Sequence, residues 1–565
     1  MEIWRINLQQ RSFNRQPVPE SWAKLGGRGL LARILLDEVQ PTCDPLGASA
    51  PLIFAPGLLV GHRLSSCDRI SIGGKSPLTG GIKEANAGGT TGHALTSLGI
   101  KALILEDRLP EGWWVLRLSA AGAQFEPAGD LAGLGVYAAA ERLFARYGSK
   151  IAAALIGPAG EMKLTGAGIQ NLDQDGAPSR IAARGGLGAV MGSKRLKAIV
   201  FEPNPSGQPE LADAAAFRAA QKAYTLALQA HPQTAAFKDF GTAAMAALSN
   251  SYGGIPVRNF SEGSFDQIEQ INGDTLHDLL VARGGKSNPS HACMAGCIIR
   301  CSNVFGSQDG QEVVSPLEYE TIGLMGSNLG IADLDTIARL NRAANDLGLD
   351  SIETGAALGV AAEAGLWSFG DGEHALRLLE EIRQGTPLGR VLGCGAGLTG
   401  RVFGVERVPV VKNQAISAYD PRAIKGTGVT YATSPQGADH TAGLTIRAKI
   451  NHLDPSIQVA ASRTAQVNVA GYDSLGACSF AGFGFAAAPE AIRDLLNARY
   501  GWQVGTDILQ VLGRQTILLE REFNRAAGFT PAHDRLPDWM TREALPPKNN
   551  VFDVNPAEMD TIYDF

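Results

Sequence analysis

The chain contains 565 residues, of which 45% are hydrophobic and 19% are charged, and its formal net charge is −6. This length is more than one hydrophobic core organises, so we expect about two to four domains. The small negative charge gives no electrostatic reason to expect nucleic acid or an anionic membrane as a partner. No apolar run approaches the roughly 18 residues of a membrane span, and the N-terminal residues lack a signal-peptide pattern. We therefore expect a cytoplasmic protein with no membrane span.

The first part of the chain, residues 1–205, is predicted to be rich in β-strands and glycine-rich turns. Short buried-strand patterns occur at 51–57, 101–106 and 197–202. Two turns, 66–92 and 182–194, are dense in glycine and small polar residues, which is typical of loops whose N–H groups bind oxyanions. Neither turn contains a P-loop motif, and the second lacks G-x-G-x-x-G, so a Rossmann nucleotide site is a poor match. Two such turns in one domain predict a site for a polyphosphate or a phosphorylated cofactor.

The rest of the chain is predicted to be mainly helical. Helix-forming residues with apolar side chains at helical spacing occupy Leu211–Tyr224, and the pattern recurs at Ile331–Leu347. Gly348 follows the second segment, where a helix C-cap is expected. After residue 401, helical patterns alternate with long polar connections. These changes predict a β-rich domain at 1–205, a helical domain at 206–400 and a mainly helical domain at 401–565.

Three of the seven cysteines, Cys293, Cys297 and Cys301, have C-x3-C-x3-C spacing. Three thiols cannot all pair as disulfides, but they can hold a soft metal centre if a fourth ligand comes from elsewhere. Cys478 is the best candidate for that ligand. Three clustered thiolates with one remote thiolate predict a [4Fe-4S] cluster that ties two domains together. A structural zinc site and unliganded core cysteines are the alternatives.

Two motifs in the helical part are similar to each other. Asn345–Asp350 has the form N-x-x-G-x-D, and Asp473–Cys478 has the form D-x-x-G-x-C. We interpret them as one weak internal correspondence and not as a family of repeats. Nearby, Glu318 and Glu320 alternate along a short segment, so at most one of them needs to face a site. We expect the other to be solvated.

Six further motifs occur in this chain at Gly26–Ala32, Lys75–Gly80, Glu84–Gly89, Gly185–Lys194, Glu318–Thr321 and Tyr431–Ser434. With these motifs and the cysteines in the right order, the chain resembles the aldehyde:ferredoxin oxidoreductase family of tungsten or molybdenum bis-pterin enzymes. The resemblance extends nearly end to end. It implies an α+β fold, in which a β-rich N-terminal domain forms a saddle over two pterins and two mainly helical domains cover them.

The resemblance also implies cofactor-binding roles for residues of the β-rich domain. Asn86 and Ala183 would offer backbone carbonyls to a Mg2+ that bridges the two pterin phosphates, because oxygen ligands suit a hard cation. Arg69 resembles the arginine that lies between pterin and cluster, where its guanidinium can donate to both. Arg184 and Gly185, in the second glycine-rich turn, complete this set.

Further roles follow for residues of the helical part. Asp350 and Asp473 would accept hydrogen bonds from the amino edges of the pterins. Glu320 (or Glu318) and His440 resemble the acid/base groups near the metal, where they could activate water or take up the proton released when an aldehyde hydrate is oxidised. The residues that would hold the [4Fe-4S] cluster are Cys293, Cys297, Cys301 and Cys478.

The chain departs from the family pattern at two points. The family has C-x2-C-x3-C, whereas the gap that follows Cys293 has three residues. Asn345 stands where the family often has Asp, so one pterin contact would be a neutral hydrogen bond. The tungsten and molybdenum alternatives stay open, because the pterin sulfurs and not the side chains bind the metal.

The expected activity is the oxidation of an aldehyde, or a related carbonyl compound, to the acid with water as the oxygen source. Electrons would leave through the [4Fe-4S] cluster to ferredoxin or an iron–sulfur partner subunit, and a homodimer is a further possible assembly. A catalytic subunit of the benzoyl-CoA-reductase type is one alternative, although no basic patch for the CoA phosphates is evident. A non-catalytic electron-transfer or zinc-stabilised scaffold protein is the other.

Overall fold

The computed structural model describes all 565 residues, Met1–Phe565. The strands are β1 Glu2–Asn7, β2 Ser12–Gln16, β3 Leu52–Pro56, β4 Ile70–Lys75, β5 Ile82–Ala87, β6 Ile100–Glu106, β7 Trp114–Ser119, β8 Gly122–Pro127, β9 Ala152–Leu155, β10 Ile169–Asn171, β11 Arg180–Ala182, β12 Leu196–Phe201, β13 Asn288–His291, β14 Ser302–Gly306, β15 Glu312–Val314, β16 Val410–Val411 and β17 Gln414–Ala415.

The helices lie mostly in the second part of the chain. They are α1 Glu20–Ala23, α2 Gly27–Glu38, α3 Thr91–Ser97, α4 Val136–Tyr147, α5 Pro158–Glu161, α6 Leu187–Ser193, α7 Ala214–Ala230, α8 Pro232–Phe240, α9 Ala244–Tyr252, α10 Gly273–Arg283, α11 Tyr319–Met325, α12 Leu334–Leu347, α13 Ser351–Glu363, α14 Gly372–Gln384, α15 Pro387–Gly393, α16 Ala396–Phe403, α17 Lys425–Thr433, α18 Gln458–Leu475, α19 Gly482–Ala487, α20 Ala491–Tyr500, α21 Ile508–Ala526, α22 Trp539–Arg542 and α23 Pro556–Asp560. None of them has the length and apolar character needed to cross a lipid bilayer.

Two six-stranded sheets occupy the N-terminal part, and they have the same topology. The first has the order β2-β1-β6-β3-β4-β5, and the second, taken from its far edge, has the order β8-β7-β12-β9-β10-β11. In each sheet one central pair is parallel, β1 with β6 and β7 with β12. In each sheet, the strand that comes last along the chain follows a helix of seven residues: α3 precedes β6, and α6 precedes β12. The N-terminal part is therefore built from two copies of one motif.

The predicted strands and helices are present. The patterns at 51–57, 101–106 and 197–202 form β3, β6 and β12, whose residues are almost all buried, as continuous apolar runs require. The two predicted helices form α7 and α12, and Gly348 caps α12 in the left-handed conformation. The α+β class is confirmed, whereas the division into three domains at 205 and 400 stays a prediction.

Two helix ends are fixed against the sheets by pairs of glycines. Gly348 ends α12 and Gly476 ends α18, each with a φ of 75°. A side chain on Gly157, after β9, would collide with the backbone at Gly348, and one on Gly57, after β3, would collide with Gly476. The N-x-x-G-x-D and D-x-x-G-x-C motifs are thus the same structural device, one for each sheet. In each motif, the residue two positions after the glycine, Asp350 or Cys478, donates its backbone N–H to the segment that precedes β10 or β4.

Hydrophobic packing fixes the cysteine segment between the two parts of the chain. One cluster of buried residues joins the loop after β3, helix α7, the cysteine segment and the end of α18, for example Leu58, Tyr224, Met294 and Leu475. Burying such side chains contributes roughly 1.5–3 kcal/mol each. The cysteine segment is therefore held by residues that are distant in sequence.

Candidate active site

A cavity of about 700 Å³ lies between the two sheets and the helices. Its wall includes strands β5 and β11, the first turns of α11 and α13, and one face of α18. All but two of the predicted site residues line it, namely Arg69, Asn86, Ala183, Arg184, Cys293, Cys301, Glu320, Asp350, His440, Asp473 and Cys478. The fold thus brings together side chains that are spread over most of the sequence.

The cysteine segment is the tip of a strand pair. His291 on β13 pairs with Ser302 on β14, so Cys293 and Cys301 lie near each other where the two strands part. The backbone N–H of Gly89, after β5, donates a hydrogen bond to the carbonyl of Cys293 at 3.0 Å. The predicted cluster segment is in this way attached to the first sheet.

One serine connects the two thiol-bearing segments. The backbone N–H of Cys478 donates to the carbonyl of Ser66 at 2.7 Å, and the Ser66 hydroxyl lies 3.5 Å from the Sγ of Cys297. A hydrogen bond from the Cys293 thiol and one from Ser66 outweigh burial and lower the pKa of Cys297 to about 6. Cys297 does not line the cavity but lies behind its wall. The hydrogen bond between Cys293 and Cys297 also raises the pKa of Cys293 well above its usual range, so the two thiols share one proton between them.

The remaining thiols are close enough to act on one another. Burial, the carboxylate of Glu318 and the thiols of Cys478 and Cys297 raise the pKa of Cys301 well above its usual range. No group of three or more His, Cys, Asp or Glu side chains is placed to share a single metal ion. The identity of the cluster ligands stays a prediction.

Arg69 and Asn86 form one unit at the floor of the cavity. The Nη2 of Arg69 donates to the backbone carbonyl of Asn86 at 3.1 Å, and its Nε donates to the Asn86 side chain. Asn86 lies near the end of β5, and Ala183 follows the equivalent strand β11 of the second sheet. The two residues that were predicted to bind Mg2+ therefore lie at the ends of corresponding strands of the duplicated motif, although not at the same position. Their metal-binding role stays a prediction.

Arg184 and Gly185 organise the neighbouring loops. Arg184 donates to the carbonyl of Ala438 at 2.5 Å and to Asp350 at 3.3 Å, so its guanidinium is used by protein groups. Gly185, at a φ of 82°, forms a turn that packs against Lys83 and does not line the cavity. These two residues support the wall, and their contact with the cofactor stays a prediction.

Asp350 is the N-cap of α13. Its side chain accepts hydrogen bonds from the backbone N–H groups of Ile352 at 3.0 Å and Glu353 at 3.3 Å. Such capping explains an aspartate at this position without a cofactor. The predicted pterin contact would be additional to this structural role.

Asp473 belongs to a buried group of charges that sequence reasoning did not identify. Its Oδ2 accepts from Arg28 at 3.2 Å, and Arg28 also forms a two-pronged ion pair with Glu520 at 2.7 and 2.9 Å. Burial and the nearby carboxylate of Glu84 raise the pKa of Asp473 well above its usual range. Arg28 occurs within one of the family motifs, but no feature of the sequence pointed to Glu520.

Glu320 and His440 meet at the cavity wall. The Nε2 of His440 lies 3.3 Å from the Oε1 of Glu320, and its Nδ1 lies 3.0 Å from the Ser417 hydroxyl. Oε2 of Glu320 accepts from the N–H of Ala418 at 2.8 Å, while Oε1 has no hydrogen-bond donor, because the contact with His440 lacks hydrogen-bond geometry. Burial raises the pKa of Glu320, and the neighbouring His440 opposes this shift. The pair has the composition of a proton-transfer site.

The expectation that one of Glu318 and Glu320 is solvated was wrong. Glu318 is not solvated, because it lines the same cavity as Glu320 and accepts a hydrogen bond from Thr242. It is the N-cap residue of α11, whereas Glu320 lies in the first helical turn, so the alternation assumed for an extended segment does not apply. Glu318 lies on the side of Cys301, and Glu320 lies on the side of His440.

The cavity has the chemistry of a site for a metal cofactor with anionic groups. Thiols line one side of the cavity. On another side lies the Oε1 of Glu320, a carboxylate oxygen without a hydrogen-bond donor. Buried cations line it as well, including Arg28, Lys83, Arg180 and Arg184. Soft thiolates suit iron or zinc, and guanidinium groups suit phosphate oxygens. The residues therefore fit the group that the family motifs imply.

Comparison with known proteins agrees with this geometry. Residues 3–203 match the model of the N-terminal domain of aldehyde ferredoxin oxidoreductase, and residues 219–564 match the model of its domains 2 and 3. The chain is 32% identical over 572 residues to the tungsten-containing aldehyde ferredoxin oxidoreductase of Pyrococcus furiosus, which covers 96% of this chain and 91% of that protein.

Two more distant proteins are also similar. The WOR-like subunit of an aliphatic sulfonate oxidoreductase from Pyrococcus furiosus is 26% identical over 538 residues, which are 88% of this chain and 81% of that protein. The active-site complex BamBC of benzoyl coenzyme A reductase has a TM-score of 0.81 at 18% identity and covers 99% of this chain and 92% of its own, which shows the fold alone. From the two family models and the 32% identity, the chain belongs to the aldehyde ferredoxin oxidoreductase family of oxidoreductases.

Proposed function

We propose that the protein oxidises an aldehyde to a carboxylic acid in this cavity and passes two electrons to ferredoxin or an iron–sulfur subunit. The observation that carries the proposal is the Glu320–His440 pair, which lines the same cavity as three of the four predicted cluster cysteines. The overall conversion consumes one water and releases two electrons and two protons with each acid formed. Such a reaction needs both a proton acceptor and an outlet for electrons.

The chain would hold its cofactors with residues from both parts of the fold. Cys293, Cys297, Cys301 and Cys478 would bind a [4Fe-4S] cluster. The backbone carbonyls of Asn86 and Ala183 would bind Mg2+, and Arg69, Asp350 and Asp473 would contact a tungsten or molybdenum bis-pterin. When bound, the metal centre would accept the electron pair and the cluster would release it one electron at a time.

His440 and Glu320 would manage the protons. The Ser417 hydroxyl at Nδ1 holds the imidazole in place, and Nε2 lies 3.3 Å from the Oε1 of Glu320, outside hydrogen-bond geometry. Burial favours the neutral form of Glu320, so a proton that reaches this pair can be shared between the carboxylate and the imidazole. The pair would activate water, or take up the proton of an aldehyde hydrate, at the Nε2 of His440.

Elemental analysis and a substrate panel test the proposal. Protein purified without oxygen should contain four irons and one tungsten or molybdenum per chain, and zinc alone would contradict the cofactor assignment.

The rates of turnover of aldehydes, an aliphatic sulfonate and benzoyl-CoA should be compared with the same artificial electron carrier. Turnover of aldehydes supports the proposal, and turnover of benzoyl-CoA or the sulfonate alone overturns it. A cytoplasmic location and a homodimer stay predictions.

A further inference from the structure

We propose that Arg447 selects aldehydes that carry a carboxylate at the end distant from the aldehyde group. This inference rests on the aldehyde oxidation proposed above and names its substrate class. Arg447 lines the cavity and lies on the same loop as His440, a few residues further along. The geometry of this loop places a cation on the wall that also carries the proposed proton-transfer pair.

Arg447 lines the cavity without a carboxylate partner, as Arg69 does, but Arg69 donates from two nitrogens to Asn86. Arg28, Lys83, Arg180 and Arg184 each form an ion pair with an Asp or Glu at 2.7, 2.9, 3.5 and 3.3 Å, respectively. The Nη1 of Arg447 donates one hydrogen bond, at 3.3 Å, to the side chain of Gln233. A guanidinium has five N–H donors, so most donors of Arg447 are available to a ligand.

An aromatic cage holds this guanidinium in place. The rings of Phe237, Phe480 and Phe483 lie 5.4, 5.1 and 5.1 Å from its central carbon. Such cation–π contacts fix the position of a cation without neutralising its charge. Burial lowers the pKa of Arg447, against the influence of Tyr419 and Cys478, so the cation is poorly solvated. A carboxylate that binds there would restore the missing counter-charge.

Arg447 is also connected to the reacting end of the cavity. It acts electrostatically on Tyr419, whose ring lies 6.0 Å from that of His440. A substrate that spans this wall would place its aldehyde near the Glu320–His440 pair and its carboxylate on Arg447. Because the charged end is remote from the reacting carbon, the interaction would appear mainly in KM.

A smaller pocket of about 430 Å³ adjoins the main cavity and also carries positively charged side chains. It is lined by Arg463 and Arg514, neither of which forms an ion pair, and by one carboxylate, Asp564. Thr464 and Asn468 of α18 line both this pocket and the main cavity. The two pockets are therefore neighbours across one helix face, and two further cations stand where an anionic substrate would approach.

A second role for Arg447 must be distinguished, because Cys478 is also near it. Arg447 could be a counter-ion of the cluster instead of a substrate-binding residue. Arg69 already occupies that position, since Cys478, Cys293 and Asp473 all act on its guanidinium. A counter-ion role would change the reduction potential of the cluster and slow all aldehydes equally, whereas substrate selection changes the ratio between charged and neutral aldehydes.

The test compares succinate semialdehyde with butanal, which has the same carbon chain without the carboxylate. The wild-type enzyme should have the higher kcat/KM for succinate semialdehyde. In Arg447→Met, the ratio of the two kcat/KM values should fall by about tenfold to a hundredfold, mainly through KM, as expected for a lost hydrogen bond between charged groups. Arg447→Lys should recover part of the ratio. The matched control is Arg15→Met, since Arg15 stacks on Trp4 and Phe13 away from the cavity and its loss should leave the ratio unchanged.

Two results would overturn the inference while aldehyde oxidation stands: an unchanged ratio in Arg447→Met, or equal losses for both aldehydes with a shifted cluster potential. If no aldehyde is oxidised, the proposed function fails, and calorimetry with succinate then decides on Arg447 alone. Binding of succinate to the purified holoenzyme that is lost in Arg447→Met supports a carboxylate site. Absence of binding to the wild-type protein, or equal binding to both proteins, overturns it.

Discussion

At the scale of single residues, the proposed chemistry depends on how His440 is oriented. Its Nδ1 faces the Ser417 hydroxyl at 3.0 Å, and the ring of Tyr419 lies 6.0 Å away. Nε2 lies 3.3 Å from the Oε1 of Glu320. The hydrogen bond that a histidine makes at one nitrogen fixes which nitrogen is free for proton transfer. His440 is therefore held in a position that suits an acid/base group.

Replacing His440 by alanine should lower kcat for aldehydes by about 100-fold to 10,000-fold, the range for loss of a general acid or base. Tungsten or molybdenum and iron should stay at wild-type content, because the proposed metal ligands are other residues. Steady-state kinetics and elemental analysis measure the two effects. His374→Ala, at the half-buried start of α14, is the control, and wild-type turnover in His440→Ala would rule out the role assigned to this histidine.

The pH dependence of the reaction should report Glu320. Burial raises its pKa above 4.5, so the carboxylate form needed by a base is lost at higher pH than for an exposed Glu. The kcat/KM should therefore rise with pH through this raised pKa and then level off. Glu320→Gln should remove this rise and lower the plateau. An identical pH profile in the variant would show that another group titrates.

At the scale of elements, the duplicated motif explains why two glycine-rich turns occur. Each sheet ends in a turn that leads to a short helix and then to a buried strand, and the strands share the pattern K-A-x-x-x-E at Lys101–Glu106 and Lys197–Glu202. This signal was available in the sequence. It was not sufficient alone, because one short pattern fits many buried strands, whereas the matching order of six strands does not arise by accident.

A carboxylate joins three elements beside the cavity. Glu353 on α13 accepts from the first N–H of α16, that of Ala396, at 3.0 Å and from Ala415 on β17 at 2.9 Å. The N-cap residue of α16, Gly395, has no side chain, so Glu353 supplies the cap from another helix. Burial raises the pKa of Glu353 to about 7.

This shift predicts a pH-dependent stability. Because the folded state holds the proton of Glu353 more tightly than the unfolded state, its contribution is full below pH 4.5 and declines as pH rises to about 7. The decline should amount to roughly 3 kcal/mol, which thermal unfolding at a series of pH values can measure. Glu353→Gln should lack this component, whereas the exposed Glu380→Gln should keep it. Parallel pH curves for wild type and Glu353→Gln would contradict the prediction.

At the scale of the whole molecule, residues near the two ends of the chain are joined through the site. Arg28 pairs with Glu520 at 2.7 Å and with Asp473 at 3.2 Å, and the side chains of Arg28 and Glu520 are only 3% and 1% exposed. The Ser66 carbonyl similarly holds the backbone of Cys478. The N-terminal sheets and C-terminal helices therefore depend on each other for both stability and the arrangement of the site.

Replacing Glu520 by glutamine should lower the free energy of unfolding by about 3 kcal/mol, because Arg28 would remain buried without its main counter-charge. A lowered midpoint in chemical unfolding measures this loss. Glu522→Gln is the matched control, because Glu522 lies on the exposed face of the same helix, α21. Equal stability of the two variants would show that the buried pair contributes little.

The cluster assignment predicts that Cys478→Ser loses the iron content and the cluster signal in electron paramagnetic resonance. Serine is a poor ligand for iron–sulfur clusters, and one missing thiolate of four destabilises the cluster. Cys67→Ser is a demanding control, since Cys67 is fully buried, close to Cys478 and Cys297, and outside the predicted ligand set. Iron loss in Cys67→Ser with iron retained in Cys293→Ser would reassign the first ligand.

The sequence alone determined the elements and the residue types of the site. Buried apolar runs and helical periodicity are local patterns, so β3, β6, β12, α7 and α12 could be predicted from neighbouring residues. The cysteine spacing and the family motifs likewise identified the residues that meet in the cavity. The error at Glu318 arose because a helix start, and not an extended strand, sets the direction of that side chain.

Only the tertiary structure decided which charges are paired and which are left without a partner. Glu520 neutralises Arg28, and Glu353 caps a helix from another element, through contacts between residues that no local pattern relates. Arg447 is an ordinary arginine in the sequence, and its lack of a carboxylate partner appears only when the surrounding elements are in place. Pairing between charges depends on distances across the fold, whereas secondary structure depends mainly on neighbours along the chain, and this is the physical reason for the difference.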